Sequence, residues 1–142
     1  MNSCIFCRIL TGELAASRAF EDTVVAAFLD IAPINPGHTL AVPRRHVEAF
    51  TDLTPVELQH LMSAGQRVAI ALKAVFPQCE GITFSVAEGE VAGQEVLHTH
   101  VHVIPRHKDD GFGWKRYGQA ADRAQLDAIA SKIVGVVTTV TG

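Results

Sequence analysis

Apolar positions along the chain fall into two helical stretches and several short strand-like runs. Residues 54–76 form the clearest helix. Leu58, Leu61, Met62, Val68, Leu72, Val75 and Phe76 recur at helical spacing behind Thr54-Pro55-Val56-Glu57, which supplies an N-cap, a first-turn proline and a capping-box glutamate in order. Pro77 enforces a stop, because proline cannot donate to the helical ladder. A second helix is expected over about 122–137, with Leu126, Ile129, Ile133 and Val137 on one packing face.

The strand candidates are Arg18–Phe20, Thr23–Asp30 after a tight Glu21-Asp22 corner, His38–Pro43, Gly81–Ala87 and Val96–Ile104. They are rich in Val, Ile, Phe and Thr, and the first two are close enough to form a hairpin. The pattern predicts an α+β fold: a five-stranded antiparallel sheet covered on one face by the long helix. Turn chemistry marks Pro33-Ile34-Asn35-Pro36-Gly37 and the polar loop 88–94. No internal repeat or low-complexity tract is present.

A length of 142 residues with 48% hydrophobic and 19% charged content supports a core of its own and one domain over 1–142. The net charge of −3 comes from 15 acidic and 12 basic residues mixed along the chain. Without a polybasic stretch, long nucleic acid is not an expected partner. No run approaches the ~18 apolar residues of a membrane span, and Met1 to Arg8 lacks the plan of a secretory signal. A cytoplasmic protein is the expectation. Three cysteines argue against a disulfide framework and for thiols used as ligands or packed away; Cys79 is read as structural.

The chemistry concentrates in His98-Thr99-His100-Val101-His102. On a strand, alternate side chains share a face, so three imidazoles line one surface while Leu97, Thr99, Val101 and Val103 take the other. Imidazole titrates near neutrality and can serve as nucleophile, proton donor or metal ligand. Cys4-x-x-Cys7 is half of a tetrahedral zinc site or, alternatively, a redox pair; only three residues precede it, whereas redox pairs follow a strand and open a helix.

The run Gly93-Gln94-Glu95-Val96-Leu97-His98-Thr99-His100-Val101-His102-Val103-Ile104-Pro105-Arg106 resembles the signature of the histidine triad (HIT) hydrolases. Similar matches occur at Cys4-Ile5-Phe6-Cys7-Arg8-Ile9, Phe28-Leu29-Asp30-Ile31, Asn35-Pro36-Gly37-His38, Pro43-Arg44-Arg45-His46 and Asp110-Gly111-Phe112-Gly113. The nearest likeness is to a bacterial branch close to the nucleoside phosphoramidases with an N-terminal cysteine pair (segment 3–10). The resemblance implies a purine nucleotide held by its α-phosphate. It also implies a nucleotidyl-histidine intermediate on His100, phosphate contact by His102 and support from His38. Asp30 is expected at the ribose hydroxyls, Phe6, Ile9, Phe28 and Ile31 around the base, and the Gly93-Gln94-Glu95 backbone at the phosphate. A structural zinc held by Cys4, Cys7, His46 and His98 is implied, as is a homodimer joined into one continuous sheet.

One departure stands out: relatives carry asparagine where Ala87 stands, and Ala87 has no side-chain donor. His102 occupies a position that is glutamine in a related transferase branch, which favours hydrolysis of a P–N or P–O–P bond. His60 and His107 are read as solvated, Arg106 as a phosphate neighbour or the member of a salt bridge, and Trp114, Lys115 and Arg116 as a segment shaping leaving-group choice. Two other functions stay open. One is a metalloenzyme using His-x-His as ligands, opposed by the two helices; the other is a zinc-stabilised nucleotide-binding module with little turnover.

Overall fold

A computed structural model describes residues 3–113 and 120–137. The chain divides into two compact units, within 1–112 and 113–142. The first contains α1 (Ile5–Leu10), β1 (Arg18–Glu21), β2 (Val25–Leu29), β3 (Thr39–Pro43), α2 (Pro55–Val75), β4 (Gly81–Ser85) and β5 (Val101–Arg106), with 3₁₀ turns at 50–52 and 90–92. The second contains α3 (Arg123–Val137). Among the described residues, no helix is long and apolar enough to cross a membrane.

The five strands form one antiparallel sheet in the order β1-β2-β3-β5-β4. The β1–β2 corner is tied by Asp22, whose Oδ1 accepts from the amides of Val24 (2.7 Å) and Val25 (2.8 Å). Strand alternation then sorts the sheet into two faces. Val25, Ala27, Ala41, Val101 and Val103 join Leu61, Val68 and Leu72 of α2 in one core. Phe28, Leu40 and Val42 turn to the opposite face, where Phe6 and Ile9 of α1 meet them. His102 lies on that second face, one residue out of step with Val101 and Val103.

Helix α2 begins as expected: Thr54 Oγ1 accepts from the Glu57 amide at 3.1 Å, and Glu57 Oε1 accepts from the Thr54 amide at 2.9 Å. Its buried stripe runs Leu61, Ala64, Gly65, Val68, Ala69, Leu72, at the i, i+3, i+4, i+7 spacing of one helical face. Met62 and Val75, expected in that stripe, are instead exposed; small residues fill the seam. A Cβ on Gly65 would lie 3.0 Å from the Phe84 ring, so glycine lets the helix sit down on β4. Gly37 holds φ at +98° with Phe76 and Leu72 packed against it, a conformation that other residues rarely adopt.

The cysteine pair opens helix α1, with Cys4 at its N-cap and Cys4 Sγ accepting from the Cys7 amide. The histidine strand starts at Val101, not Val96. Pairing of β5 with β3 stops at Ala41↔Val101, and Pro43, at the end of β3, has no N–H to extend the ladder. On α3, Leu126, Ile129, Ile133 and Val137 are all exposed.

Candidate functional site

Two groups of imidazoles sit side by side on the α1 face of the sheet. In the first, Cys4, Cys7, His46 and His98 bring their donor atoms within 4.8 Å of one another. Cys4 Sγ lies 3.5 Å and Cys7 Sγ 3.6 Å from His98 Nδ1, and Cys7 Sγ lies 3.4 Å from His46 Nδ1. A tetrahedron with Zn–S of ~2.3 Å and Zn–N of ~2.05 Å has an S···N edge of ~3.6 Å. The donor set therefore fits zinc in chemistry and in spacing. The fully buried His98 makes the fit specific: its Nε2–H donates to the Pro43 carbonyl at 2.8 Å, leaving Nδ1 bare toward the thiols, as a metal ligand requires. Burial, and then the neighbouring Cys4, push the Cys7 thiol up.

The second group is His38, His100 and His102 with Asp30. Carbonyls only accept and amides only donate, so the protons of these rings can be assigned. His100 Nδ1–H donates to the His98 carbonyl at 2.8 Å, and Nε2 is left with its lone pair. The Ile34 amide donates to His38 Nδ1 at 3.0 Å, so His38 carries its proton on Nε2 and donates it to His102 Nδ1 at 2.9 Å. His102 in turn carries its proton on Nε2. One ring thus offers a bare nitrogen and its neighbour an N–H, with centroids 4.8 Å apart. Asp30 Oδ2 stands 3.6 Å from His38 Nε2.

Burial is the main reason that His38, His98 and His100 all titrate below the ordinary imidazole value. His102 is buried beside both His100 and His38 and falls to about 4. At neutral pH these imidazoles are uncharged, the state in which imidazole is nucleophilic.

These rings open onto a cavity of about 580 Å³, well within the range of small-molecule sites. Phe6, Ile9, Phe28 and Ile31 line it together with Asp30, Gly93, Glu95, His38, His100 and His102. The Phe6 ring meets His100 edge-on at 5.1 Å. Ile31 is 96% exposed and stands at the mouth. Leu14, Ala15, Ala16 and Leu40 also line the cavity; sequence reading missed them because isolated small and apolar residues carry no signal.

The expected phosphate loop is altered in detail. The Gly93 amide is spent on the Glu90 carbonyl at 3.0 Å and that of Gln94 on the Gly89 carbonyl at 3.1 Å. The Gln94 side chain is buried and braces the loop, donating to the Glu48 and Val96 carbonyls and accepting from the Gly89 amide. Of the three expected donors, the Glu95 amide is the one with no such bond among the described residues. Gly93 holds φ at +97° and ends the 3₁₀ turn.

Ala87 is half-buried beyond the end of β4 and is not part of the cavity lining. Arg106 pairs with Asp110 at 2.7 Å, and Asn35 Nδ2 donates to Asp110 as well as to the Pro105 carbonyl, at 2.9 Å each. His60, expected to be solvated, binds Asp22 Oδ2 at 2.8 Å. His107 Nδ1 bonds the Lys108 carbonyl, and Cys79 donates to the Gly81 carbonyl. Trp114, Lys115 and Arg116 lie outside the described residues.

A HIT domain profile matches residues 11–109. The chain belongs to the HIT domain family. An uncharacterized HIT-like protein from Borreliella burgdorferi is 44% identical over 82% of this chain and 84% of its own length. A histidine triad nucleotide-binding protein from Candida albicans superposes with a TM-score of 0.86 at 28% identity, over 97% of this chain and 99% of that one. A zinc-bound histidine triad family protein from Mycobacterium smegmatis gives 0.74 at 34% identity, over 90% and 98%. This HIT domain is thus similar to proteins whose names record a nucleotide in one case and zinc in another.

Proposed function

We propose that this HIT domain is a nucleotide hydrolase. It cleaves a P–N or P–O–P bond at the α-phosphate of a purine nucleoside monophosphate derivative, with His100 as nucleophile. The observation that carries this reading is the pair of opposed tautomers: a bare Nε2 on His100 beside an N–H on His102. In the first step a bond forms from His100 Nε2 to phosphorus while the bond to the leaving group breaks. The leaving amine or phosphate departs while accepting a hydrogen bond from His102 Nε2–H and draws its proton from solvent; the His38 Nε2–H bond to His102 Nδ1 keeps that N–H facing the leaving group. The His98 carbonyl stabilises the positive charge that the substituted His100 ring acquires. Water then splits the N–P bond, restoring bare His100 and releasing the nucleoside monophosphate. Asp30 is assigned to the ribose hydroxyls, the Phe6–Phe28 end of the cavity to the base, and the Glu95 amide to a phosphate oxygen.

Cys4, Cys7, His46 and His98 are assigned to a zinc ion. When bound it cross-links α1 to the sheet, and four protein ligands leave it no open position for water. The reading includes a homodimer through an exposed sheet edge, supported by the edge position of β4 and the exposure of Phe84 on it.

A second reading, a nucleotide-binding module with little turnover, draws on the absence of a side-chain donor at Ala87. Quenching the protein with an adenosine 5′-phosphoramidate in alkaline denaturant, in which a P–N bond to histidine survives, and mapping the adduct by mass spectrometry separates the two. A nucleotidyl group on His100 is the expected result. Tight binding with no adduct and no release of AMP would establish the module instead.

A further inference from the structure

We infer that the Cys4–Cys7–His46–His98 cluster, when it holds a divalent metal such as zinc, sets the tautomer of the nucleophile, with His98 as the positioning residue. The inference rests on the reading of His100 as nucleophile. The link between the two groups is a single peptide plane. The His98 carbonyl accepts from His100 Nδ1 at 2.8 Å, and the amide on the same plane, that of Thr99, donates to the Val47 carbonyl at 2.6 Å.

A peptide is planar, so its carbonyl and N–H turn together. Both anchors of this plane adjoin a proposed ligand. His98 supplies the plane's first Cα, and Val47 directly follows His46. Strand pairing does not hold the plane, because the β3–β5 ladder ends at Ala41↔Val101. What remains is the His98 ring, fixed at Nε2 by the Pro43 carbonyl and at Nδ1 only when the cluster is closed. Opening the cluster removes the tie at His98 Nδ1 and the tie at His46, the residue before Val47, together. The carbonyl that keeps the proton on His100 Nδ1 is then free to turn away, and the proton can move to Nε2, which blocks attack. The His100 and His98 rings are both packed edge-on against Phe6 of α1, so the helix carrying Cys4 and Cys7 also bears on the nucleophile.

The test uses full-length protein labelled with ¹⁵N-histidine at pH 7, zinc-loaded or chelator-stripped under reductant, with His100→Ala to assign the ring signals. The zinc-loaded protein is expected to show His100 solely as the Nδ1–H form. The stripped protein is expected to show a mixture, with kcat lower by about tenfold to a hundredfold and KM little changed. Cys7→Ser, at a half-buried position outside the cavity, is read the same way and serves if stripping unfolds the chain. An unchanged His100 tautomer in a folded, metal-free protein overturns the proposal, as does a protein that takes up no stoichiometric zinc. A tautomer that responds to zinc in a protein that never cleaves the P–N bond supports the coupling and refutes the hydrolase reading.

Discussion

The two imidazole groups share a face of one sheet and one main-chain segment, yet they are prepared for opposite work. His98 gives its Nε2–H to the Pro43 carbonyl and keeps Nδ1 bare; His100 gives its Nδ1–H to the His98 carbonyl and keeps Nε2 bare. The carbonyl partner of each ring decides which nitrogen is left to act. Thiols surround the bare nitrogen in one group and a cavity lies before it in the other. A histidine's role therefore follows from its second nitrogen more than from its place in a motif.

The largest test of this contrast is His100→Ala. It is expected to lower kcat for phosphoramidate cleavage by about 10⁴-fold or more while leaving zinc content unchanged, as measured by single-turnover kinetics and metal analysis. Equal loss of zinc would show that the two groups are one. Removing the metal should act on stability as well as on kcat: with zinc at about a thousandfold excess over its Kd, loading is expected to raise Tm by on the order of 10 °C. A calorimetric scan with and without chelator reads this directly, and identical midpoints would end the structural role.

His38→Asn breaks the hydrogen-bond chain but spares both the nucleophile and the cluster, so kcat should fall about a hundredfold with Tm nearly constant. The wild-type pH profile sharpens the point. Burial and the neighbouring His100 and His38 hold His102 at about 4. Burial holds the nucleophile His100, and His38, below the ordinary imidazole value as well, so the rate should decline below 6.5 as these rings protonate and be lost by about pH 4; a fall centred at or above the ordinary 6.5 would contradict the buried, neutral relay. The smallest effect concerns α2. Arg45 first, and the Thr54 cap with it, hold Glu57 at about 2, against an ordinary 4.5. A depressed carboxyl stabilises the fold above its unfolded value, and that contribution is lost as pH falls from 4.5 toward 2. Glu57→Gln should cost about 1 kcal/mol at pH 7 and flatten the Tm–pH curve across that window.

Much of the fold was legible because its signals are local. The Thr54–Glu57 capping box marks the start of α2, and the Glu21-Asp22 corner marks the β1–β2 hairpin. The donors at Cys4, Cys7, His46 and His98 were legible from motif likeness, and they do converge. Features set by tertiary partners were not readable. Nothing local shows that β5 must wait until Val101, since this depends on Pro43 lying opposite. The burial of Gln94 depends on carbonyls at Glu48 and Val96, and the His60–Asp22 pair on α2 crossing the first hairpin. Met62 and Val75 misled because apolar character near the right spacing does not say how wide the buried stripe is. Ala64, Gly65 and Ala69 narrow it.

The cluster joins Cys4 to a histidine 94 positions later. On a ribosome adding about 5–20 residues per second, the two thiols wait roughly 5–20 s before that histidine has been made. Throughout that interval they are free, on a segment whose sheet partners are still being assembled. If the cluster holds zinc, the hazard of oxidation therefore falls on the nascent chain, and a cell short of reductant or metal should lose this protein during synthesis, before it loses the finished molecule.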